Sequence, residues 1–209
     1  GMNLGNNTVW SGTEMISLGS QGGARYNPAT DSWAAVSAAN APPSSQGFAT
    51  AVWTGHEVIV WGGRNSVGRS INAGGRYDPV TNSWSPTRLD ASTPGARELH
   101  TAIWAGNEMI VWGGYDNNSA TIYSTGGRYD SFTDTWTTTS SLPGTPGPRY
   151  WHSAIWTGEE MIVWGGYPSG GGVPPVNSGW AYAPANDSWR ALAVDSATDR
   201  KSTRLNSSH

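Results

Sequence analysis

An internal repeat constrains this chain more than any other feature. Four segments align without gaps, each with a tryptophan, a glycine turn and an apolar run: VWSGTEMISLG from Val9, VWTGHEVIVWGG from Val52, IWAGNEMIVWGG from Ile103 and IWTGEEMIVWGG from Ile155. The first tryptophans of successive copies lie 43, 51 and 52 residues apart. A period of this length marks a stack of supersecondary units, none of which can bury its apolar faces alone. The chain is therefore predicted to fold as several equivalent units packed side by side.

A second block follows the first in every copy, with seven residues from its tyrosine position to its tryptophan: ARYNPATDSW, GRYDPVTNSW, GRYDSFTDTW and WAYAPANDSW. Each unit reads as four short strands. The first strand ends at the tryptophan, and a tight Gly-x-Glu turn leads to the apolar strand, which a glycine pair stops. The third strand carries the tyrosine. Asp-Pro-x-Thr-Asn then suits a turn, and the last tryptophan opens the fourth strand.

A unit of about 50 residues with these motifs resembles the kelch repeat, including those of the galactose oxidase central domain. The resemblance implies an all-β fold, a β-propeller of four-stranded antiparallel blades. The predicted kelch region is 1–198, with repeats at about 5–39, 47–90, 98–142 and 150–195. Copy one departs from the pattern, since Leu18, Gly19 and Ser20 stand where later copies have Trp-Gly-Gly. Because kelch rings resemble assemblies of roughly six or seven blades, four copies predict an incomplete ring.

The last eleven residues, 199–209 (DRKSTRLNSSH), resemble a sequencing adapter translated in frame, and we expect them to be an artefact. Without them, nine arginines face fourteen acidic residues. A basic stripe is absent, which argues against nucleic acid as a partner. No apolar run is long enough to cross a membrane, so no membrane insertion is expected. The Ser, Thr, Asn, Gly and Trp content resembles secreted bacterial multi-kelch proteins, which predicts an extracellular or cell-surface location.

Side chains that recur in every copy are predicted to build the scaffold. Eleven of the thirteen tryptophans occupy repeat positions. The exceptions are Trp151, which we expect to be packed, and Trp180, which replaces a glycine and is a candidate for binding. The recurring charges are expected to satisfy turn backbone or to pair within a blade: Glu14, Glu57, Glu108 and Glu160 in four copies, and Arg25, Arg76 and Arg128 in three.

An Arg-x-x-His pair precedes the first strand in the last two copies, as Arg97 with His100 and Arg149 with His152. Two histidines suggest a metal, but they belong to different units and have no acid or cysteine at ligand spacing. No metal and no cofactor are therefore predicted. Arg97 and Arg149 are kept as candidate binding residues.

Loop topology gives the strongest functional argument in the sequence. In an antiparallel meander, the second-to-third-strand loops share one face with the long proline-containing links between blades. A rigid scaffold that displays differing loops is a common way to build a binding site. The residues predicted to line this face are Arg64, Arg69, Tyr115, Asp116, Asn117, Tyr123, Tyr167 and Trp180.

The sequence favours a non-enzymatic recognition module that binds a protein or a glycan through this face. The alternative is a carbohydrate-active kelch enzyme. A copper-radical oxidase of that family needs a tyrosine linked to a cysteine, and the chain has no cysteine. A mutarotase-like enzyme would need Arg97, Arg149, His100 and His152 to converge on one central face.

Overall fold

The computed structural model describes residues 7–19, 22–43, 47–170 and 172–194, and all its regular elements are β-strands. Four sheets of four strands follow one another along the chain. Blades 1 and 2 contain β1 (Thr8–Trp10), β2 (Met15–Gly19), β3 (Gly22–Asn27) and β4 (Ser32–Val36), then β5 (Thr50–Trp53), β6 (Val58–Trp61), β7 (Gly74–Asp78) and β8 (Ser83–Pro86). Blade 3 contains β9 (Thr101–Trp104), β10 (Glu108–Trp112), β13 (Gly126–Asp130) and β14 (Thr135–Thr138). Blade 4 contains β15 (Ser153–Trp156), β16 (Met161–Trp164), β17 (Gly179–Ala183) and β18 (Ser188–Ala191).

Every blade is an antiparallel meander in which each strand pairs with the next one of the blade. The first strands contact one another from β1 to β5, β9 and β15, so they form the inner edge of an arc. Blade 3 adds a small hairpin, β11 (Tyr115–Asp116) with β12 (Thr121–Ile122), inside its second loop. The predicted all-β propeller architecture with four blades is confirmed, and the ring is open.

The turn between the third and fourth strands forms as the sequence predicts. In blade 2, Asp78 Oδ1 accepts the N–H groups of Val80 at 2.8 Å and Thr81 at 3.4 Å. Asn82 follows with φ of 51°, in the left-handed region that Asn and Asp tolerate better than other side chains. Tyr77 then donates its hydroxyl to Asn82 Oδ1 at 2.7 Å. The sequence motif is therefore a closed hydrogen-bonded turn.

The glycine pair after the second strand is required by close packing between blades. Gly62 and Gly113 have φ of 71° and 66°. A Cβ at Gly62 would lie 2.6 Å from His100 Cε1, and one at Gly113 would lie 2.6 Å from His152 Cε1. Only glycine permits both the backbone angle and this approach of the next blade.

The core lies between blades, and the second strands supply it with alternate side chains. Val58 and Val60 face blade 1, where they pack with Ile16. Ile59 and Trp61 face blade 3 and pack with other buried side chains there. Because both faces of an inner blade are covered, the strand reads as a continuous apolar run rather than as an alternating one.

The two end blades expose what the inner blades bury. Trp61 and Trp112 are fully buried, whereas Trp164, at the same repeat position in blade 4, is 36% exposed. In blade 1, Trp33 is 62% exposed, although the equivalent Trp84 is 7% exposed. The prediction that repeat tryptophans are core is therefore correct for the inner seams, and the end blades differ because no neighbouring blade covers their outer faces.

Blade 1 is regular despite its divergent motif. Leu18 replaces the tryptophan and packs against blade 2, and Gly19 pairs directly with Gly22 across the hairpin. This blade has a short second connection in place of the long loops of the others. The predicted 199–209 tail lies outside the described residues.

Candidate functional site

The strands of each blade end at two faces. The loop face carries the second-to-third-strand loops, which begin at Arg64, Tyr115 and Tyr167, and the links between blades. The turn face carries the short first-to-second and third-to-fourth-strand turns. Most of the predicted site residues lie on the loop face, but the structure gives them very different surroundings.

Four aromatic side chains meet on the loop face where blades 3 and 4 adjoin, and we call them the aromatic cluster: Tyr115, Tyr150, Trp151 and Tyr167. Tyr150 lies at its centre, with ring centroids 5.9 Å from Tyr115, 5.7 Å from Trp151 and 5.8 Å from Tyr167. Backbone hydrogen bonds between Tyr150 and Tyr167 tie the link segment to the loop. Such contacts make a rigid platform of apolar ring faces with three phenolic hydroxyl groups at its edges.

Trp151 is the most exposed member, at 61%, so the prediction that it is packed is wrong. Its backbone has φ of 54°. Phe48 and Leu99 occupy the same position before the first strand of blades 2 and 3, with φ of 61° and 56°. A left-handed conformation costs such side chains about 1–2 kcal/mol, and strain of this kind concentrates at functional sites.

An ion pair extends the surface towards blade 2. Arg64 donates through Nε and Nη2 to the two carboxylate oxygens of Glu98, with Nη2 to Oε1 at 2.6 Å. The Glu98 hydrogen bond raises the pKa of the Arg64 guanidinium. Arg64 also lies over the Phe48 ring, 4.9 Å from its centroid. The Glu98 side chain is fully buried and Arg64 remains one-third exposed, so the guanidinium presents an oriented edge to solvent.

Asn117 joins the loops of blades 2 and 3, whereas Asp116 forms hydrogen bonds within its own loop. Asn117 Oδ1 accepts the Ser70 N–H at 2.8 Å, and its amide donates to the Gly68 carbonyl at 2.7 Å. Asp116 is buried and accepts the Asn118 N–H at 2.9 Å. The Asn117 bonds clamp the loop of blade 3 onto that of blade 2. Arg69 lies exposed on the clamped loop.

Arg97 and Arg149 are interior residues, 1% and 4% exposed. Arg97 donates to the carbonyls of Gly95, Gly113 and Thr125 at 2.7–3.0 Å. The ring of Tyr123 covers it at 4.2 Å. Burial lowers the pKa of Arg97 to about 10, and the group stays charged at neutral pH. Both arginines therefore donate to loop carbonyls in the interior and are not available on the surface. Tyr123 packs against Arg97.

His100 and His152 tie blades together. Nε2 of each lies 2.8 Å from a threonine hydroxyl of the preceding blade, Thr50 for His100 and Thr101 for His152. Burial and the charge of Arg149 lower the pKa of His152 to about 3, and burial lowers that of His100 strongly. Among the described residues, no three His, Asp or Glu side chains converge as metal ligands.

Trp180 lies in the middle of blade 4, paired with Val163 and Ala191 and half-buried, so the structure keeps it apart from the loop-face cluster. The predicted Glu–Arg pairs within blades are present at 2.9–3.8 Å. Where Ala181 breaks the arginine series, the opposing residue Arg190 supplies the guanidinium and contacts Glu160 at 2.5 Å.

Charge is distributed unevenly between the two faces. The turn face carries four arginines, Arg25, Arg76, Arg128 and Arg190, and ten acidic residues: Glu14, Asp31, Glu57, Asp78, Glu108, Asp130, Asp134, Glu159, Glu160 and Asp187. The loop face carries five arginines and three acidic residues: Arg64, Arg69, Arg88, Arg97 and Arg149, with Asp90, Glu98 and Asp116. Of the described residues, those assigned to the turn face therefore sum to −6 and those assigned to the loop face to +2. The two sets meet where the Arg88 N–H donates to Asp134 Oδ1 at 2.8 Å.

Four-stranded blades around a common inner edge and a rigid surface on their loops define a kelch-type propeller with a candidate binding face. Comparison with known proteins agrees. Residues 48–208 match the KLHDC2/KLHL20/DRC7 Kelch-repeats domain, and the chain belongs to this family.

Individual relatives match over part of their length. Kelch domain-containing protein 3 of Bos taurus is 34% identical over 109 residues, which is 52% of this chain and 28% of the relative. Acyl-CoA-binding domain-containing protein 4 of Arabidopsis thaliana is 24% identical over 142 residues, 68% of this chain and 21% of the relative. The chain thus spans less than a third of these relatives, both of which are eukaryotic. The predicted secretion and bacterial origin stay predictions.

A solved structure, described as "Structure of YjhT", shares the fold with a TM-score of 0.71 and 20% sequence identity. The match covers 91% of this chain and 65% of that chain. No helix within the described ranges is long and apolar enough to span a membrane.

Of the aromatic cluster and the ion pair beside it, the sequence predicted Arg64, Tyr115 and Tyr167 and missed the other residues. The missed residues are Phe48, Glu98, Tyr150 and Trp151. All four lie in the last residues before a first strand, where copies two, three and four read Gly-Phe, Glu-Leu and Tyr-Trp. The residue types at these positions vary between copies although the adjacent strand motifs are nearly constant, and this variation could have marked the positions as candidates for binding.

Proposed function

We propose that this chain is a non-enzymatic interaction module that binds a protein partner through the loop face, with the aromatic cluster as the centre of the contact. The observation that carries the proposal is the exposed ring of Trp151, whose backbone is left-handed and which lies in a cluster with three tyrosines. Tryptophan and tyrosine are the side chains that most often dominate binding energy at protein interfaces. Membership of a kelch-repeat family supports a protein-interaction role.

The ion pair beside the cluster supports the same function. Arg64 and Glu98 come from adjacent blades, and their mutual orientation leaves a guanidinium edge next to the Phe48 ring. Apolar ring faces beside one oriented polar group are typical of specific recognition sites. The catalytic alternative is weakened because Arg97, Arg149, His100 and His152, its candidate donors, are all buried.

The test is a selection of random twelve-residue peptides on the immobilised chain, followed by affinity measurement with Trp151→Gly and Tyr167→Ala variants. We expect both to weaken selected peptides at least about tenfold, because an aromatic anchor in an interface commonly contributes 2 kcal/mol or more, on the order of thirtyfold in affinity. Trp151→Gly should fold normally, since glycine adopts φ of 54° without strain.

Trp33→Ala is the matched control, because Trp33 is 62% exposed but lies at the other end of the arc. It should leave the affinity unchanged. Peptides that bind equally well to the Trp151 and Tyr167 variants would contradict the proposal. A parallel glycan array separates the alternatives, since saturable sugar binding that depends on Trp151 would make a glycan the ligand.

A further inference from the structure

The turn face carries two apolar side chains that nothing in the loop-face function uses. Val80 and Phe132 occupy the same position of the third-to-fourth-strand turn in blades 2 and 3, and they are 90% and 97% exposed. An exposed phenylalanine at a turn tip exposes large apolar surface to water. Two adjacent blades thus each carry one exposed apolar side chain at the tip of a turn on this face.

Both tips are held rigidly by bonds within and between blades. Asp130 Oδ1 accepts the Phe132 N–H at 2.8 Å, as Asp78 Oδ1 does for Val80. Arg76 of blade 2 donates to the Ser131 carbonyl at 2.6 Å and so anchors the turn of Phe132 to the neighbouring blade. A partner that contacts these tips has little backbone entropy to remove, because the turns are ordered already.

A groove of about 530 Å³ opens on the same face between blades 3 and 4. Its lining includes the indole of Trp156 and the small residues Ala183 and Pro184. Ala183 stands where blades 2 and 3 have aspartates, so a methyl group lines the groove at a position where those blades carry a carboxylate.

The carboxylates around the groove differ in their pairing. Glu108 is neutralised by Arg128 at 2.9 Å, and Glu160 by Arg190 at 2.5 Å. Within the described part of the chain, the Glu159 carboxylate has no cationic partner. An aromatic wall beside an unpaired carboxylate suits a cationic side chain with an apolar stem.

The negative charge of the turn face indicates which kind of partner binds there. We propose that the turn face is a second interaction surface, which docks a basic protein segment with interspersed apolar residues. The net charge of −6 attracts such a segment and repels nucleic acid and anionic lipid surfaces. Its apolar residues contact Phe132 and Val80, and an arginine or lysine enters the groove over Trp156 near Glu159. This surface is separate from the loop face and does not depend on its function.

The experiment uses the whole chain and three synthetic twelve-residue peptides, with alternating arginine and leucine, arginine and serine, or glutamate and leucine. Fluorescence anisotropy should show tightest binding for the arginine–leucine peptide. Phe132→Ser should weaken that peptide by about tenfold, because burial of a phenylalanine ring is lost, and should leave the arginine–serine peptide unchanged. Glu159→Gln should weaken both arginine peptides about threefold, because one exposed charge pair is removed.

Val67→Ser is the control, because Val67 is 75% exposed on the loop face. It should not alter binding of any peptide. The proposal is overturned if the glutamate–leucine peptide binds as well as the arginine–leucine peptide. It is also overturned if Phe132→Ser has no effect, or if Val67→Ser has the same effect as Phe132→Ser. Since all three substituted side chains are exposed, equal unfolding midpoints should exclude misfolding as the cause.

Discussion

At the scale of single residues, equivalent positions take on different roles. Arg64, Tyr115 and Tyr167 follow the same glycine pair in three blades, yet the first forms an ion pair and the other two stack in a cluster. Trp151 has a left-handed backbone and is 61% exposed, whereas His152, the next residue, is 6% exposed. The repeat sets the backbone at these positions, and the contacts with neighbouring loops and blades differ from one copy to the next.

The buried histidines predict a pH dependence of stability. The pKa of His152 is about 3 in the folded chain, against about 6.5 for an unfolded histidine. The unfolded state therefore binds more protons below pH 6.5, so the free energy of unfolding falls as pH decreases from about 6.5 towards 3. The slope from one histidine is at most about 1.4 kcal/mol per pH unit.

His152→Gln should reduce this slope, because the side chain no longer titrates, although it weakens the bond to Thr101. Urea unfolding between pH 7 and pH 4 measures the slope for both proteins. His56→Gln, which replaces an exposed histidine, serves as the control. An unchanged slope in His152→Gln would show that other groups carry the acid sensitivity.

At the scale of elements, hydrogen bonds fix the second and third links between blades to the neighbouring loops and strands. Arg97 and Arg149 each gather three carbonyls from the link, the glycine pair and the residue before the third strand. Backbone bonds also cross the seams, from the Gly63 N–H to the Arg97 carbonyl and from the Gly114 N–H to the Arg149 carbonyl, both at 2.8 Å. The loop face can therefore hold the aromatic cluster rigidly although no strand runs through it.

Arg97→Met should lower the free energy of unfolding by about 3 kcal/mol. Three hydrogen bonds from a charged donor are lost, and the carbonyls that accepted them lose that donor. Arg69→Met replaces an exposed arginine of the neighbouring loop and should change the free energy by less than about 0.5 kcal/mol. Chemical denaturation followed by tryptophan fluorescence compares the two. Equal effects would mean that the carbonyls find other donors.

At the scale of the whole molecule, the arc ends in two different apolar faces. The outer face of blade 4 exposes Ile155 at 62% and Trp164 at 36%, while Ile103 and Trp112 at the same positions of blade 3 are 7% and 0% exposed. The outer face of blade 1 presents Trp33 at the position where Trp84 and Trp136 pack against a preceding blade. Each end face thus exposes the side chains that, between two inner blades, pack against the neighbouring blade.

The 209-residue chain alone is expected to self-associate through these faces. Exposed apolar surface of this kind drives association between copies. Ile155→Glu combined with Trp164→Glu should shift the chain towards the monomer in size-exclusion chromatography with light scattering. Leu89→Glu, at a residue that is 61% exposed in a link, is the control and should not shift it. A monomeric unsubstituted chain at all concentrations would contradict the prediction.

The sequence by itself determined the blades. Glycine pairs and Asx turns act over a few residues and recur in successive copies, so the strands, the turns and the pairing of Glu108 with Arg128 could be predicted from the repeat. Pairings across about 50 residues could not, because they depend on how adjacent blades pack.

Only the tertiary structure decided which loop-face side chains reach the surface and which are buried. It brought Arg64 to Glu98 and Tyr115 to Tyr150 across the seams, buried Arg97 and Arg149, and turned Trp151 outwards. The physical reason is that exposure on the loop face follows from the packing of neighbouring blades, which a local hydrophobic pattern does not encode.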